Sequence, residues 1–210
     1  MNKTLVEYIE TNIIPMYDCF DAGHGREHVR AVIAEAMRLS GFYYVNSDMV
    51  YVAAAYHDTG LSVDRKIHHL ESGRIIRCDK RLGEWFDASG IETIAQAAED
   101  HRASADHEPR SIYGKIIAEA DRQIIPESII RRTVQYGFKH YPELDREGHW
   151  TRLCEHMAQK YDVGGYLKLW IPQSHNADGL AALREIIHNE SRLREMFETA
   201  FNEESVKAGI

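Results

Sequence analysis

Hydrophobic positions recur along this chain at helical spacing. Val29, Val32, Ile33, Ala36 and Met37 fall at i, i+3, i+4, i+7 and i+8, the stripe of a core-facing helix that closes near Ser40 and Gly41. Val50, Ala53 and Ala54 begin a second stripe, whose next members are His57 and Asp58. Ile91, Ile94 and Ala98 make a third, continued by His101. In a fourth segment Ile117 stands four residues before Asp121, in a helix that ends before Pro126. Further helices are predicted over 3–13, 67–86, 127–139, 148–160 and 178–201, the last with Leu180, Leu183, Ile187, Met196 and Phe197 on its buried side. Loops are predicted at 19–25, 41–47, 59–66, 102–110, 141–147 and 162–177. No stretch sustains the two-residue alternation of a strand, so the expected fold class is all-α.

Composition adds exclusions. With 44% hydrophobic and 28% charged residues the chain is expected to fold around a core, and its 210 residues suit a single helical domain over 1–210. Thirty-three Asp and Glu against 25 Lys and Arg give a formal net charge of −8. No basic block offsets that balance, which argues against duplex nucleic acid as a partner. The longest uncharged apolar stretch, Met49 to Tyr56, falls well short of the roughly 20 residues of a membrane span. Glu7 and Glu10 interrupt any signal-peptide core, so the expectation is a cytoplasmic protein without a membrane partner. Cys19, Cys78 and Cys154 are far apart and odd in number; they read as buried reduced thiols, not as a disulfide framework or a thiolate zinc site.

Histidine changes the picture. There are twelve, and seven of them (His24, His28, His57, His68, His69, His101 and His107) lie between positions 24 and 107. His28, His57, Asp58, His101 and Asp121 each extend an apolar stripe, so the helix that packs the stripe also turns them inward. Buried carboxylates and clustered imidazoles are costly unless compensated, and a divalent metal compensates both. The constellation points to a metal site. His140, His149, His156, His175 and His188 lie outside it and read as surface or capping residues, and Trp85, Phe86, Trp150, Tyr161, Tyr166 and Trp170 read as core.

The order His28, His57-Asp58, Asp121, in the contexts GHGREHVRAV, AAAYHDTGL and KIIAEADR, resembles the H…HD…D signature of the HD-domain superfamily of metal-dependent phosphohydrolases. The resemblance covers roughly residues 20–125 and implies an HD-like helical bundle there. Residues 126–210 would then be a C-terminal helical extension that shapes the pocket. By the same resemblance His28, His57, Asp58 and Asp121 hold a first metal, while Asp58 bridges to a second held by His69 and His101, so that Asp58, His69 and His101 take part in the reaction. His68 competes with His69, because that position is matched by spacing and not by context. His24 stays open between a ligand and a loop or substrate contact. HD subfamilies often place a lysine soon after the HD pair; here Thr59-Gly60-Leu61 stands instead, so that role is lost or passes to Arg65 or Lys66.

The implied cofactor is one or two divalent ions per chain: Mn, Fe, Co, Ni or Zn. Two ions with two ionised aspartates and neutral imidazoles leave a positive site that attracts a phosphate dianion; one ion leaves it neutral. Two close metals can hold a hydroxide of lowered pKa and stabilise charge on phosphoryl oxygens. The expected reaction is hydrolysis of a phosphoester or phosphoanhydride in a small phosphorylated molecule, a nucleotide or dinucleotide polyphosphate. Arg26, Lys66, Arg102 and Arg122 are the candidate phosphate-binding cations, because each stands beside a ligand position or shortly after the HD pair. His107 and Lys66 are candidates for the leaving-group acid. Two alternatives stand beside this reading, an HD-type di-iron oxygenase and a non-catalytic nucleotide-binding module, and a homo-oligomer stays open.

Overall fold

The computed structural model describes residues 1–21, 23–105 and 107–208; of the loops expected at 19–25 and 102–110, Ala22 and Asp106 lie outside the described residues, as do Gly209 and Ile210 of the C-terminal extension. The described residues contain ten α-helices and no strand. The chain divides into two compact units, Met1–Arg122 with Leu169–Ser174, and Gln123–Lys168 with His175–Ile210.

In the first unit, α1 (Lys3–Tyr8) starts where the Asn2 side chain accepts the Thr4 and Leu5 N–H groups. The helix expected over 3–13 does not run on as α. It widens to a π turn over Ile9–Ile13 and then tightens to a 3₁₀ segment, Ile14–Cys19, at Pro15, whose missing N–H cannot extend the α ladder. Leu5, Ile9, Ile13, Ile14 and Tyr17 from these turns enter the core. α2 (Arg26–Ser40) buries Val29, Val32 and Ala36 and closes at Gly41, where the stripe ends. α3 (Ser47–Tyr56), capped by Asn46, is buried on every side from Val50 to Tyr56.

α4 (His68–Cys78) is shorter than the 67–86 expected. It stops because Asp79 is extended, caps the Arg81 N–H at 2.9 Å, and accepts the hydroxyls of Tyr8 and Tyr56. A 3₁₀ turn, Lys80–Glu84, follows. α5 (Ala88–Glu99) and α6 (Ile112–Arg122) complete the layer around α2 and α3. The buried Glu119 of α6 fastens Leu169–Ser174 to this unit: its carboxylate accepts the Trp170 N–H at 2.6 Å, the Ile171 N–H at 3.3 Å and the Ser174 hydroxyl at 2.5 Å.

The second unit contains α7 (Pro126–His140), α8 (Arg146–Lys160), α9 (Asn176–Ile187) and α10 (Glu190–Ala208). The helix expected over 178–201 is thus two helices. The break is chemical, since the Asn189 side chain accepts the Arg192 N–H and starts α10. Along α9 the buried side runs through Leu180, Leu183 and Ile186, so Ile186 takes the place expected for Ile187. His149 is not a surface residue: it is buried, with its ring edge-on to Phe138. Tyr166 is exposed, not core, and Cys19 and Cys78 are exposed free thiols, whereas Cys154 is half-buried. No helix among the described residues is long and apolar enough to cross a membrane.

Candidate metal centre

The centre is built where five helices of the first unit end or begin. α3 stops at Tyr56, and the next two residues are His57 and Asp58, 0% and 2% exposed. α2 contributes His28 one residue before Val29, on the buried edge of its stripe. α6 contributes Asp121 near its C-terminus, four residues after buried Ile117. His101 lies two residues past the end of α5, and His68 is the first residue of α4.

The two oxygens of Asp58 face different histidine pairs. Oδ2 is 3.2 Å from His57 Nε2 and 3.5 Å from His28 Nε2. Oδ1 is 3.5 Å from both His68 Nε2 and His101 Nε2. Within the first pair the Nε2 atoms are 3.2 Å apart, and within the second 3.1 Å. Asp121 Oδ1 joins the first pair, 3.1 Å from His28 Nε2 and 3.7 Å from His57 Nε2. The donor atoms of His28, His57 and Asp58, and separately those of Asp58, His68 and His101, lie within 4.8 Å of one another.

Three of the imidazoles are oriented in the same way. Nδ1 faces the carbonyl three residues back: His57 on Ala54 at 2.8 Å, His68 on Arg65 at 2.9 Å, His101 on Ala98 at 2.5 Å. A carbonyl only accepts, so Nδ1 carries the proton and Nε2 is the atom presented to the centre. Neutral rings held so would point two lone pairs at each other between His68 and His101, a repulsion that a shared cation or a proton removes. Imidazole Nε2 and carboxylate oxygen are also the donors that divalent first-row metals take. The residues therefore fit two cation positions, each with a histidine pair, on either side of Asp58.

In the metal-free protein, protons on the first pair balance its carboxylates. Burial pushes the His57 and His28 pKa values down, but the Asp58 and Asp121 carboxylates outweigh it and hold both above the ordinary imidazole value. Burial likewise raises Asp58 and Asp121, and the histidines more than reverse it, holding both carboxyls well below their usual range. His68 differs: burial, then the His101 and Arg102 charges, push it down to about 4, so it stands neutral. The linkage has two arms. The histidines contribute stability that is complete below their unfolded value of about 6.5 and is lost as pH rises through their raised folded values. The aspartates contribute stability that is present above about 3.9 and is lost as pH falls through their depressed values. Metal-free protein is thus expected to lose Tm from about pH 6 upward. The rise in Tm on adding metal should grow over the same range, because ions displace protons from His28 and His57. Thermal melts with and without metal across pH check this; a metal-induced gain that shrinks with rising pH contradicts it.

Other expected site residues take different places. His69 does not face Asp58; its Nδ1 lies 3.5 Å from the Arg102 guanidinium, and burial and that charge push its pKa down to about 4. His68 takes the position expected for His69. Because α4 begins at residue 68, the first residue of the helix points at the centre and the second is turned aside. Arg102 is braced at the rim by the Lys66 carbonyl at 2.6 Å and Ser104 Oγ at 3.0 Å. Lys66 is exposed and joins this region through its main chain. Arg26 is exposed and paired with Asp18, so it is not turned to the centre. Arg122 folds back onto the Ala118 carbonyl of its own helix, half-buried, with its pKa lowered by burial. His24 donates Nδ1–H to Asp21 at 2.7 Å, an acid that also pairs with Arg65, and its ring lies 5.9 Å from that of His28. It flanks the first pair without joining it. His107 is exposed, 4.0 Å from Asp100.

Three supporting residues carried no sequence signal, because their partners are distant in the chain. Ser72 Oγ accepts the Gly60 N–H at 2.9 Å and ties the turn after Asp58 to α4. Gly60 itself packs against that helix: a Cβ there would stand 2.0 Å from the His68 carbonyl oxygen and 2.6 Å from the Ser72 nitrogen, so any side chain would push the first turn of α4 away. Tyr17, fully buried, reaches the main chain on both sides of His57.

Comparison with curated proteins and with solved structures finds no match. The family model of the HD domain matches residues 25–123. That segment, which supplies His28, His57, Asp58, His68, His101 and Asp121, is similar to the HD domain family, and its histidine and aspartate cluster fits an HD metal site.

Proposed function

We propose that this protein is a metal-dependent phosphohydrolase that cleaves a phosphoester or phosphoanhydride of a small phosphorylated molecule, a nucleotide or dinucleotide polyphosphate. The HD superfamily is one of metal-dependent phosphohydrolases, and the observation that carries the reading is the divided role of Asp58, whose two oxygens serve two separate histidine pairs. When bound, divalent ions at these positions supply a water of lowered pKa and neutralise charge that develops on phosphoryl oxygens. The chain does the rest. Asp58 and Asp121 supply the negative charge that concentrates cations here. The Ala54, Arg65 and Ala98 carbonyls fix the rings of His57, His68 and His101, so no reorientation is needed on binding. Beside His101, the Arg102 guanidinium is held through Nε and Nη1 by Ser104 and the Lys66 carbonyl, so that Nη2 is the group it would offer to a phosphate oxygen, next to the neutral ring of His69.

Hydrolysis tests this directly. Folded protein is assayed against nucleoside mono-, di- and triphosphates and dinucleotide polyphosphates, with Mn²⁺, Fe²⁺, Co²⁺, Ni²⁺ or Zn²⁺ added. Turnover that a chelator abolishes and metal restores is expected; none with any metal overturns the reading. A donor set this rich in imidazole also suits a di-iron centre, so oxygen uptake is followed in parallel. Oxygen-dependent loss of substrate would point to oxidation, and tight nucleotide binding without turnover to a regulatory module.

A further inference from the structure

The hydroxyl of Tyr17 sits where α3 gives way to the ligand pair. In a helix continued past Tyr56, the Ala54 carbonyl would accept the Asp58 N–H and the Ala55 carbonyl the Thr59 N–H. The structure uses these groups otherwise. The Ala54 carbonyl accepts His57 Nδ1–H at 2.8 Å, and the Ala55 carbonyl accepts the Tyr17 hydroxyl at 2.9 Å. The Asp58 N–H donates to the same Tyr17 oxygen at 3.3 Å. One phenol thus acts as donor and acceptor for two main-chain groups on either side of the helix end. Tyr17 is 1% exposed, with its ring 6.4 Å from that of His57 and edge-on to Phe20. It lies in Ile14–Cys19, outside the segment matched by the HD family.

We propose that Tyr17 is a positioning residue for the metal centre: its hydroxyl holds α3 closed at Tyr56, so that His57 keeps its proton on Ala54 and Asp58 can turn one oxygen to each histidine pair. Buried main-chain groups must be paired. Without the hydroxyl, the nearest way to pair the Asp58 N–H is the Ala54 carbonyl, which extends α3. That removes the carbonyl from His57, frees its ring, and carries Asp58 round with the helix. The core side of Tyr17 is unaffected by loss of one oxygen atom, which separates its role at the ligand pair from its role in packing.

The proposal rests on the metal-centre reading, and Co²⁺ titration followed by visible absorption distinguishes the two. Wild type is compared with Tyr17→Phe and with Leu5→Ala, a truncation of a fully buried core residue in α1. Folding of each is checked by circular dichroism. Tyr17→Phe is expected to bind Co²⁺ about 10- to 100-fold more weakly and to shift its absorption bands, as loss of an outer partner does at metal sites. Leu5→Ala should be less stable yet bind Co²⁺ as wild type does. Unchanged affinity and spectrum in Tyr17→Phe overturn the proposal, as does equal weakening in Leu5→Ala. Wild type that takes up no Co²⁺ overturns the metal-centre reading, and this proposal with it. If Tyr17→Phe does not fold, p-aminophenylalanine at position 17, which keeps a polar group in the same place, decides the matter. Wild-type affinity with it supports the proposal; failure to fold with it too overturns it, since the residue then serves the core.

Discussion

Asp58→Asn is expected to abolish hydrolysis and to empty both cation positions together. Asp58 Oδ2 serves His28 and His57, and Oδ1 serves His68 and His101, so one substitution reaches both sets. Asparagine keeps the shape but offers one neutral oxygen and an amide that repels a cation. Metal catalysis of this kind is worth several kcal/mol, which at about 1.4 kcal/mol per decade means a loss of about a thousandfold or more. The fold should survive, because one proton can leave the His28–His57 pair with the Asp58 charge while Asp121 still supports the other; no charge is stranded, and that is where a broken buried pair is usually most costly. The alkaline loss of Tm in the metal-free protein should therefore flatten in the variant. Metal content by mass spectrometry, turnover, and melts across pH test each part. A variant that retains one ion would show that one histidine pair binds without the carboxylate.

His68→Ala should lower metal content from about two ions per chain to about one, while His69→Ala leaves it at about two. These residues are neighbours in sequence, and only the first directs Nε2 at Asp58 and His101. Hydrolysis should fall severely in His68→Ala, because one cation position loses half of its imidazole donors. In His69→Ala the effect should fall on substrate affinity: the ring lies against Arg102 at the rim, so its loss loosens that guanidinium and raises KM more than it lowers kcat. The opposite pattern of metal content, loss in His69→Ala and retention in His68→Ala, would reject the arrangement seen here.

Legibility in the sequence follows the range of the interaction. The α2 stripe through Val29, Val32 and Ala36 was readable because helical period and burial are local properties. The same logic placed His28, His57, Asp58, His101 and Asp121 on inward faces, and the structure gathers all five. Boundaries were less legible where a side chain from elsewhere set them: Asp79, held by Tyr8 and Tyr56, ends α4 eight residues before the periodicity fades. Asn189 splits the last expected helix by a cap whose strength depends on the packing of both neighbours. Arg26 and Arg122 looked suitable as phosphate ligands from their positions beside His28 and Asp121. Whether a cation is free is decided by acceptors near it in space, here Asp18 and the Ala118 carbonyl.

The sequence by itself determined an all-α chain and the helical faces that bring imidazoles and carboxylates inward, because a helix's own period assigns each residue its side. Only the tertiary structure decided that His68 and not His69 meets Asp58, since adjacent residues share a helix but not a direction. The choice depends on where α4 starts against Gly60 and Ser72. It also decided that Tyr17, 41 residues before Asp58, closes α3 at the ligand pair. A hydrogen bond between distant segments leaves no period in the chain, and exists only once packing has brought its ends together.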